Sequence, residues 1–198
     1  MQLPTLEIGL EGWGLRAWRE DDAAALAEHA SNVKVWRNMS DAFPHPYTLK
    51  IAQHWVRKGH VDFGGDNWAI VFDDVAVGGG GIHQQEGQLL CNAEIGYWLA
   101  EAFWGRGVAT QVAATLTARA FSNPEITRVF APIHSHNAAS MRVVERCGFV
   151  CEGVMRKSAI KAGQVIDRVV YARYRPDGGP AAADPTVTSA PATHKSTP

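Results

Sequence analysis

Apolar positions along the chain switch between a helical and an extended period. Val108, Val112, Leu116 and Ala120 recur at every fourth position, the stripe of a helix with one buried side. Just before them, Asn92-Ala-Glu-Ile-Gly-Tyr-Trp-Leu99 reads as a strand. Residues 6–18 read as a first extended segment, broken near Gly12 and Gly14. Asp21 or Asp22 is placed to cap a helix with Leu26, Ala27 and Ala30 on one side. A short helical stretch at 33–39 leads to a proline-fixed loop at 40–47, and Thr48 caps a helix through Ile51, Trp55 and Val56. Residues 67–72 and 75–82 pattern as a hairpin across Asp73-Asp74. A strand at 127–133 follows, then a helix at 138–147 capped by Asn137, with Gly148 as its left-handed stop. Residues 149–161 and 164–174 close as a hairpin around Ala162-Gly163. The order predicts an α+β domain around one mostly antiparallel sheet of about seven strands, with a parallel crossover in the middle.

The junction at Ala100-Glu-Ala-Phe-Trp-Gly-Arg-Gly-Val-Ala-Thr-Gln111 carries the candidate chemistry. A strand, a loop with Gly105 and Gly107, and a helix start together make an anion pocket. The first helical turn offers unpaired N–H groups and partial positive charge, and bare glycines let a phosphate reach the backbone. An ordinary strand-to-helix turn is the alternative. No Lys-Ser/Thr pair follows the last glycine, as phosphoryl transfer on a Walker loop would need. Neither the third glycine nor the early placement of a dinucleotide fold is present. The spacing suits holding a phosphate-bearing carrier still.

Composition narrows the classes. The 198 residues fit one domain, and the net charge of −1 with no long basic run argues against nucleic acid as a partner. Cys91, Cys147 and Cys151 have neither zinc spacing nor an even disulfide framework, as expected in a reducing compartment. No signal-peptide pattern or bilayer-length apolar run is evident, so a cytoplasmic protein without membrane contact is expected. Residues 177–198 turn to Gly, Pro, Ala, Thr and Ser and read as a disordered tail behind a domain at 1–176. No residue encodes the oligomeric state; a homodimer is the commonest outcome for small soluble enzymes.

Four segments in this order resemble the GNAT superfamily of acetyl-CoA-dependent N-acetyltransferases, in the branch of ribosomal-protein N-terminal acetyltransferases. They are Leu15-Arg-Ala-Trp-Arg19, Glu94-Ile-Gly-Tyr-Trp-Leu99, Trp104-Gly-Arg-Gly-Val-Ala-Thr110 and Asn137-Ala-Ala-Ser-Met-Arg-Val-Val-Glu-Arg-Cys-Gly-Phe149. Gly107 and Ala109 match the last two fixed positions of the family's Gln/Arg-x-x-Gly-x-Gly/Ala signature, while Trp104 stands where Gln or Arg is usual. The resemblance implies a central sheet with a V-shaped split, acetyl-CoA as co-substrate, no metal, and direct attack of a primary amine on the thioester in a ternary complex. It implies that Arg106, Gly107, Val108, Ala109 and Thr110 hold the pyrophosphate, with Trp104 and Gly105 also in the coenzyme site. The backbone of Trp98 and Leu99 would pair with the pantetheine arm and supply the oxyanion donor, and Asn137 and Ser140 would meet the thiol end.

For the base, Glu94 is the first candidate, because an apolar strand raises a carboxyl's pKa toward the working range. The alternative is a solvated or arginine-paired carboxylate. His134 and His136 are rivals because histidine titrates near neutrality, and their spacing also suits a metal, although no third ligand is evident. His83 and His45 are weaker rivals. Ser140 is the candidate for the departing sulfur, against the plainer role of meeting a helix-end amide. Cys147 reads as core, not as a nucleophile. Trp36, Phe43, His45, Tyr47 and His134, with Trp55 nearby, are candidates for the acceptor site, by cation–π contact or as a satellite core. Two other functions remain open: a non-catalytic acyl-CoA sensor, and a transferase for another donor such as succinyl-CoA, with Arg37 or Arg156 meeting the added charge.

Overall fold

The computed structural model describes residues 3–176; the expected tail at 177–198 lies outside the described residues. One sheet of eight strands organises the domain, in the order β1-β2-β3-β4-β5-β6-β8-β7. The strands are β1 (Leu6–Glu7), β2 (Trp13–Ala17), β3 (Asp66–Phe72), β4 (Val75–Gln84), β5 (Asn92–Leu99), β6 (Arg128–His134), β7 (Val150–Lys161) and β8 (Gln164–Tyr174). Neighbours are antiparallel except β5 and β6, which are parallel. The strand count exceeds the expected seven because the first extended segment folds back on itself. A turn closed by Trp13 N–H donating to the Leu10 carbonyl (3.1 Å) separates β1 from β2. The Asp73-Asp74 turn is formed with both residues at positive φ (47° and 64°), the geometry a two-residue hairpin with right-handed twist requires.

The helices are α1 (Ala23–Ala30), α2 (Val33–Trp36), α3 (Leu49–His54), α4 (His60–Asp62), α5 (Val108–Phe121) and α6 (Ala138–Arg146). The helix capped by Thr48 ends earlier than its apolar pattern predicts: after His54 the chain passes through a widened turn at Trp55–Gly59 before α4. Asp22 precedes α1 but does not cap it with its side chain. Its oxygens accept instead from both terminal nitrogens of Arg16 (2.8 Å each) and from Arg19 N–H (2.8 Å). Arg16 also binds Asp74 through Nε (2.7 Å), so one buried guanidinium ties β2, the start of α1 and the β3–β4 turn together.

Strand alternation divides the core in two. Trp68, Ile70, Ile95 and Leu99 point to one face, where they meet Val108, Val112, Leu116 and Ala120 of α5. The predicted stripe is fully used: those four are between 0 and 4 % exposed, each large member contributing about 1.5–3 kcal/mol of burial. Ala69 and Val71, one position out of phase, face α1 and α3 and pack with Trp18, Leu26, Tyr47 and Val56.

The parallel pair opens into a V. β5 and β6 are in register only from Asn92↔Arg128 to Glu94↔Phe130. The cause is in the sequence of β6. Ser135 N–H donates to the Asp167 carbonyl of the β8 side, so odd-numbered residues of β6 turn their backbone to β8 and even-numbered ones turn theirs to β5. Pro132 is the next even residue after Phe130 and has no N–H to offer. The ladder stops there and the strands part.

Candidate active site

The V exposes one edge of β5. Ala100 N–H bonds the Val77 carbonyl and Gln85 N–H bonds the Asn92 carbonyl, so even-numbered residues of β5 turn their backbone to β4. The unpaired edge is therefore Ile95, Tyr97 and Leu99. Trp98, expected to offer backbone to the cleft, directs it into β4 opposite Gly79; what it gives the cleft is its indole. A Cβ on Gly79 would lie 2.7 Å from the Trp98 ring nitrogen, so only glycine lets that indole lie flat across β4. Trp104 is exposed at the cleft wall, its Nε1–H donating to the Leu99 carbonyl at 2.7 Å. Of Leu99, the N–H is left facing the V.

The glycine loop ends in an open corner. Gly107 stands before α5 at φ 80°, in the left-handed region, and no side chain caps the helix. The first intrahelical bonds come from Thr110 N–H and Gln111 N–H to the Gly107 carbonyl, leaving the amides of Val108 and Ala109 without helical acceptors. A Cβ added at Gly105 or Gly107 would meet nothing within 4 Å. This bare, amide-rich corner suits the pyrophosphate of a coenzyme. Arg106 stands apart from the cleft lining, its guanidinium 5.5 Å over the Phe103 ring.

A cleft of about 830 Å³ runs from this corner past the splayed strands. Its walls include Leu99, Trp104, Gly105, Gly107, Val108, Ala109, Thr110, Asn137 and Ser140 at one end, and Phe43, Tyr47, Trp98, His134 and Glu94 toward the other. Asn137 caps α6 by accepting from Ser140 N–H (3.2 Å), which fixes the serine at the mouth of the V. The Ser140 hydroxyl lies 3.2 Å from the Tyr97 hydroxyl across 43 positions of sequence. Burial pushes the Tyr97 phenol well above its ordinary value, so it stays protonated. Glu94 is half-buried and its carboxyl is raised by desolvation, with Arg168 opposing.

Residues 14–150 match the family model described as the acetyltransferase (GNAT) domain. The chain belongs to the GNAT acetyltransferase family. Over 165 residues it is 32% identical to the putative ribosomal N-acetyltransferase YdaF of Bacillus subtilis (strain 168), covering 79% of this chain and 88% of the relative. It is also 32% identical over 81 residues to the ribosomal-protein-serine acetyltransferase of Escherichia coli (strain K12), covering 41% and 45% of the two chains. In fold it matches the ribosomal L7/L12 alpha-N-protein acetyltransferase RimL solved with coenzyme A, at a TM-score of 0.74 and 23% identity over 86% of this chain and 98% of that one. Mycobacterium smegmatis RimJ with CoA-disulfide matches at a TM-score of 0.76 and 22% identity over 88% of each chain. The protein is an acetyl-CoA-dependent N-acetyltransferase of the GNAT fold.

Within this GNAT domain the remaining sequence candidates separate. Phe43 packs edge-on against Trp98 (5.7 Å) and beside Tyr47 (4.9 Å), forming an aromatic wall. Trp36 and His45 are outside the cleft lining. They stack on each other at 5.2 Å, and the Lys161 ammonium sits 3.9 Å from the Trp36 ring, fastening the proline loop to the β7–β8 hairpin. His134 lines the cleft with its Nδ1 buried and unpartnered. Burial pushes its imidazole below the ordinary value, the charge of His136 adds to that effect, the Arg37 backbone opposes it, and Lys161 and Arg168 add smaller pushes downward. His136 bonds the Arg37 carbonyl instead (3.3 Å). His83 faces Glu94 across β4 and β5 and lines the cleft. Cys147 packs inward and donates to the Thr110 carbonyl (3.3 Å), while burial raises its thiol. Two residues of the cleft wall were not picked out from the sequence: Tyr97, whose partner is remote in sequence, and Pro132, which stands in plain view as a proline inside a strand pattern.

Proposed function

We propose that the protein acetylates the free α-amine of a polypeptide, with amine and acetyl-CoA bound together in the cleft. The relatives named for ribosomal proteins point to that acceptor class. The observation that carries the reading is the edge of β5 laid open by Pro132, lying between the uncapped start of α5 and the Tyr97–Ser140 pair. When bound, acetyl-CoA supplies an acyl carbon already activated as a thioester.

The chain's own groups divide the work. The amides of Val108 and Ala109 hold the pyrophosphate. The Tyr97 and Leu99 backbone pairs with the pantetheine arm as an added strand would, and the Leu99 N–H is the oxyanion donor. Side chains alternate along β5, so Glu94 and Tyr97 emerge on opposite faces. Glu94 takes the ammonium proton on the acceptor side, and Tyr97 with Ser140 delivers a proton to the thiolate on the other. The neutral amine adds to the acyl carbon, the adduct gives up its second N–H proton to solvent as the C–S bond breaks, and the thiolate takes the proton from the Tyr97–Ser140 pair.

The test is mass spectrometry of a peptide panel with free N-termini, incubated with acetyl-CoA and purified protein. Acetylated N-termini are expected. Modification confined to small free amines or lysine side chains overturns the polypeptide assignment. Coenzyme release with no acetylated product, or no release at all, overturns the transferase reading itself.

A further inference from the structure

The cleft does not end at Glu94. A second depression, of about 520 Å³, continues from it across β6 and β8 to β7, and the two share Glu94, Pro132 and Arg168 in their walls. Its floor is set by strand register. Glu94 lies beside Phe130, Pro132 beside Val170, His134 beside Arg168, and Arg168 beside Met155. Helices α1 and α3 cover β2 to β4 on this side of the sheet but leave this part bare; Met155 is 46% exposed.

Charge along the groove is uneven. Arg128 and Glu152 are bound to each other. Arg168 forms no ion pair with any carboxylate among the described residues. Its Nε donates to Ser158 Oγ (3.2 Å), which orients the guanidinium and leaves its other nitrogens to the groove. Three strand spacings separate β5 from β7, about 14 Å in all. An extended chain of roughly four residues spans that distance.

We propose that this groove holds the acceptor polypeptide beyond its reacting amine, and that Arg168 selects an acidic side chain at its second or third residue. This rests on the polypeptide reading above and adds the recognition rule to it. With the amine at Glu94, Arg168 stands two strands across and four positions along the sheet. Its long side chain brings the charge close enough to act on the Glu94 carboxyl, within reach of a carboxylate at those positions. The apolar floor of Phe130, Pro132, Val170 and Met155 takes the chain that follows.

The test measures kcat/KM for peptides alike except for Glu, Ala or Lys at residues two and three, and for the same sequences cut to dipeptide amides. Wild type is expected to prefer Glu over Lys by at least about tenfold, and to lose rate on truncation. Arg168→Glu is expected to invert the preference, and Arg168→Gln to bring the ratio near one. Because the readout is a ratio between two peptides, a general loss of activity in a variant does not alter it. Coenzyme binding by titration calorimetry verifies that each variant is folded. Peptide acetylation with no charge preference, or with a preference unchanged in Arg168→Glu, overturns the inference while leaving the transferase reading intact. Equal rates for dipeptide amides and full peptides overturn the groove.

Discussion

The hydroxyls of Tyr97 and Ser140 lie 3.2 Å apart, one from the open edge of β5 and the other from the first turn of α6. Asn137 sets the serine and strand alternation sets the tyrosine, so the pair is held by two separate elements meeting at the V. A hydroxyl kept protonated by burial, hydrogen-bonded to a second at the cleft surface, forms a short route for a proton.

Tyr97→Phe and Ser140→Ala are each expected to lower kcat by about 10²-fold, the lower range for loss of a general acid. Because the hydroxyls act as one unit, the double variant should lose little more than either single one. Steady-state kinetics at saturating acetyl-CoA checks this. Additive losses mean that the two act separately.

Glu94→Gln is expected to remove most of kcat and to eliminate the acid limb of the pH–rate profile. That limb should lie above the ordinary carboxylate value, because burial raises the Glu94 carboxyl and the base works only when deprotonated. The stability effect has the opposite sign. A folded pKa above the unfolded one contributes stability below the unfolded value, and that contribution is lost as pH rises through the folded value. Glu94→Gln should therefore raise Tm at pH 8 and change it little at pH 4, a comparison that scanning calorimetry makes directly.

Gly107→Ala and Gly107→Glu separate strain from charge. The φ of 80° costs about 1–2 kcal/mol for a residue with a Cβ, and both variants share that cost. Only Glu sets a negative charge at the α5 N-terminus, so it alone should abolish coenzyme binding in titration calorimetry.

Pro132→Val restores an N–H facing the Ile95 carbonyl. The added ladder bond contributes about 0.5–1.5 kcal/mol, and loss of the proline costs about 0.4–1 kcal/mol through the unfolded chain. Tm should stay nearly constant while the V narrows, and the Kd for coenzyme A should rise about tenfold, or 1.4 kcal/mol. An unchanged Kd means that the proline does not hold the strands apart.

What could be read from the chain was local. The α5 stripe, the Asn137 cap and the strand through Glu94 all emerge from residues within a few positions of one another. Gly148 takes the left-handed conformation expected of a helix stop (φ 79°). What could not be read depends on distant partners. Asp22 looks like a helix cap until Arg16 claims both its oxygens. Trp36 and His45 look like substrate aromatics until Lys161, far along the chain, takes the Trp36 ring. Strand parity hid another detail: Trp98 and its neighbours form one motif, yet alternate residues send their backbone to opposite sides.

The Arg16 clasp reaches further than the corner it occupies. A one-residue slip of β2 along β3 would turn Arg16 to the opposite side and leave Asp22 a buried anion without a counterion. Misaligned folds are thereby penalised by electrostatics as well as by packing. Two residues on, the Trp18 ring lies 3.3 Å from where a Cβ on Gly79, the glycine that seats Trp98, would stand. The alignment that seats Arg16 thus also places the Trp18 ring beside the Trp98 indole at the cleft wall.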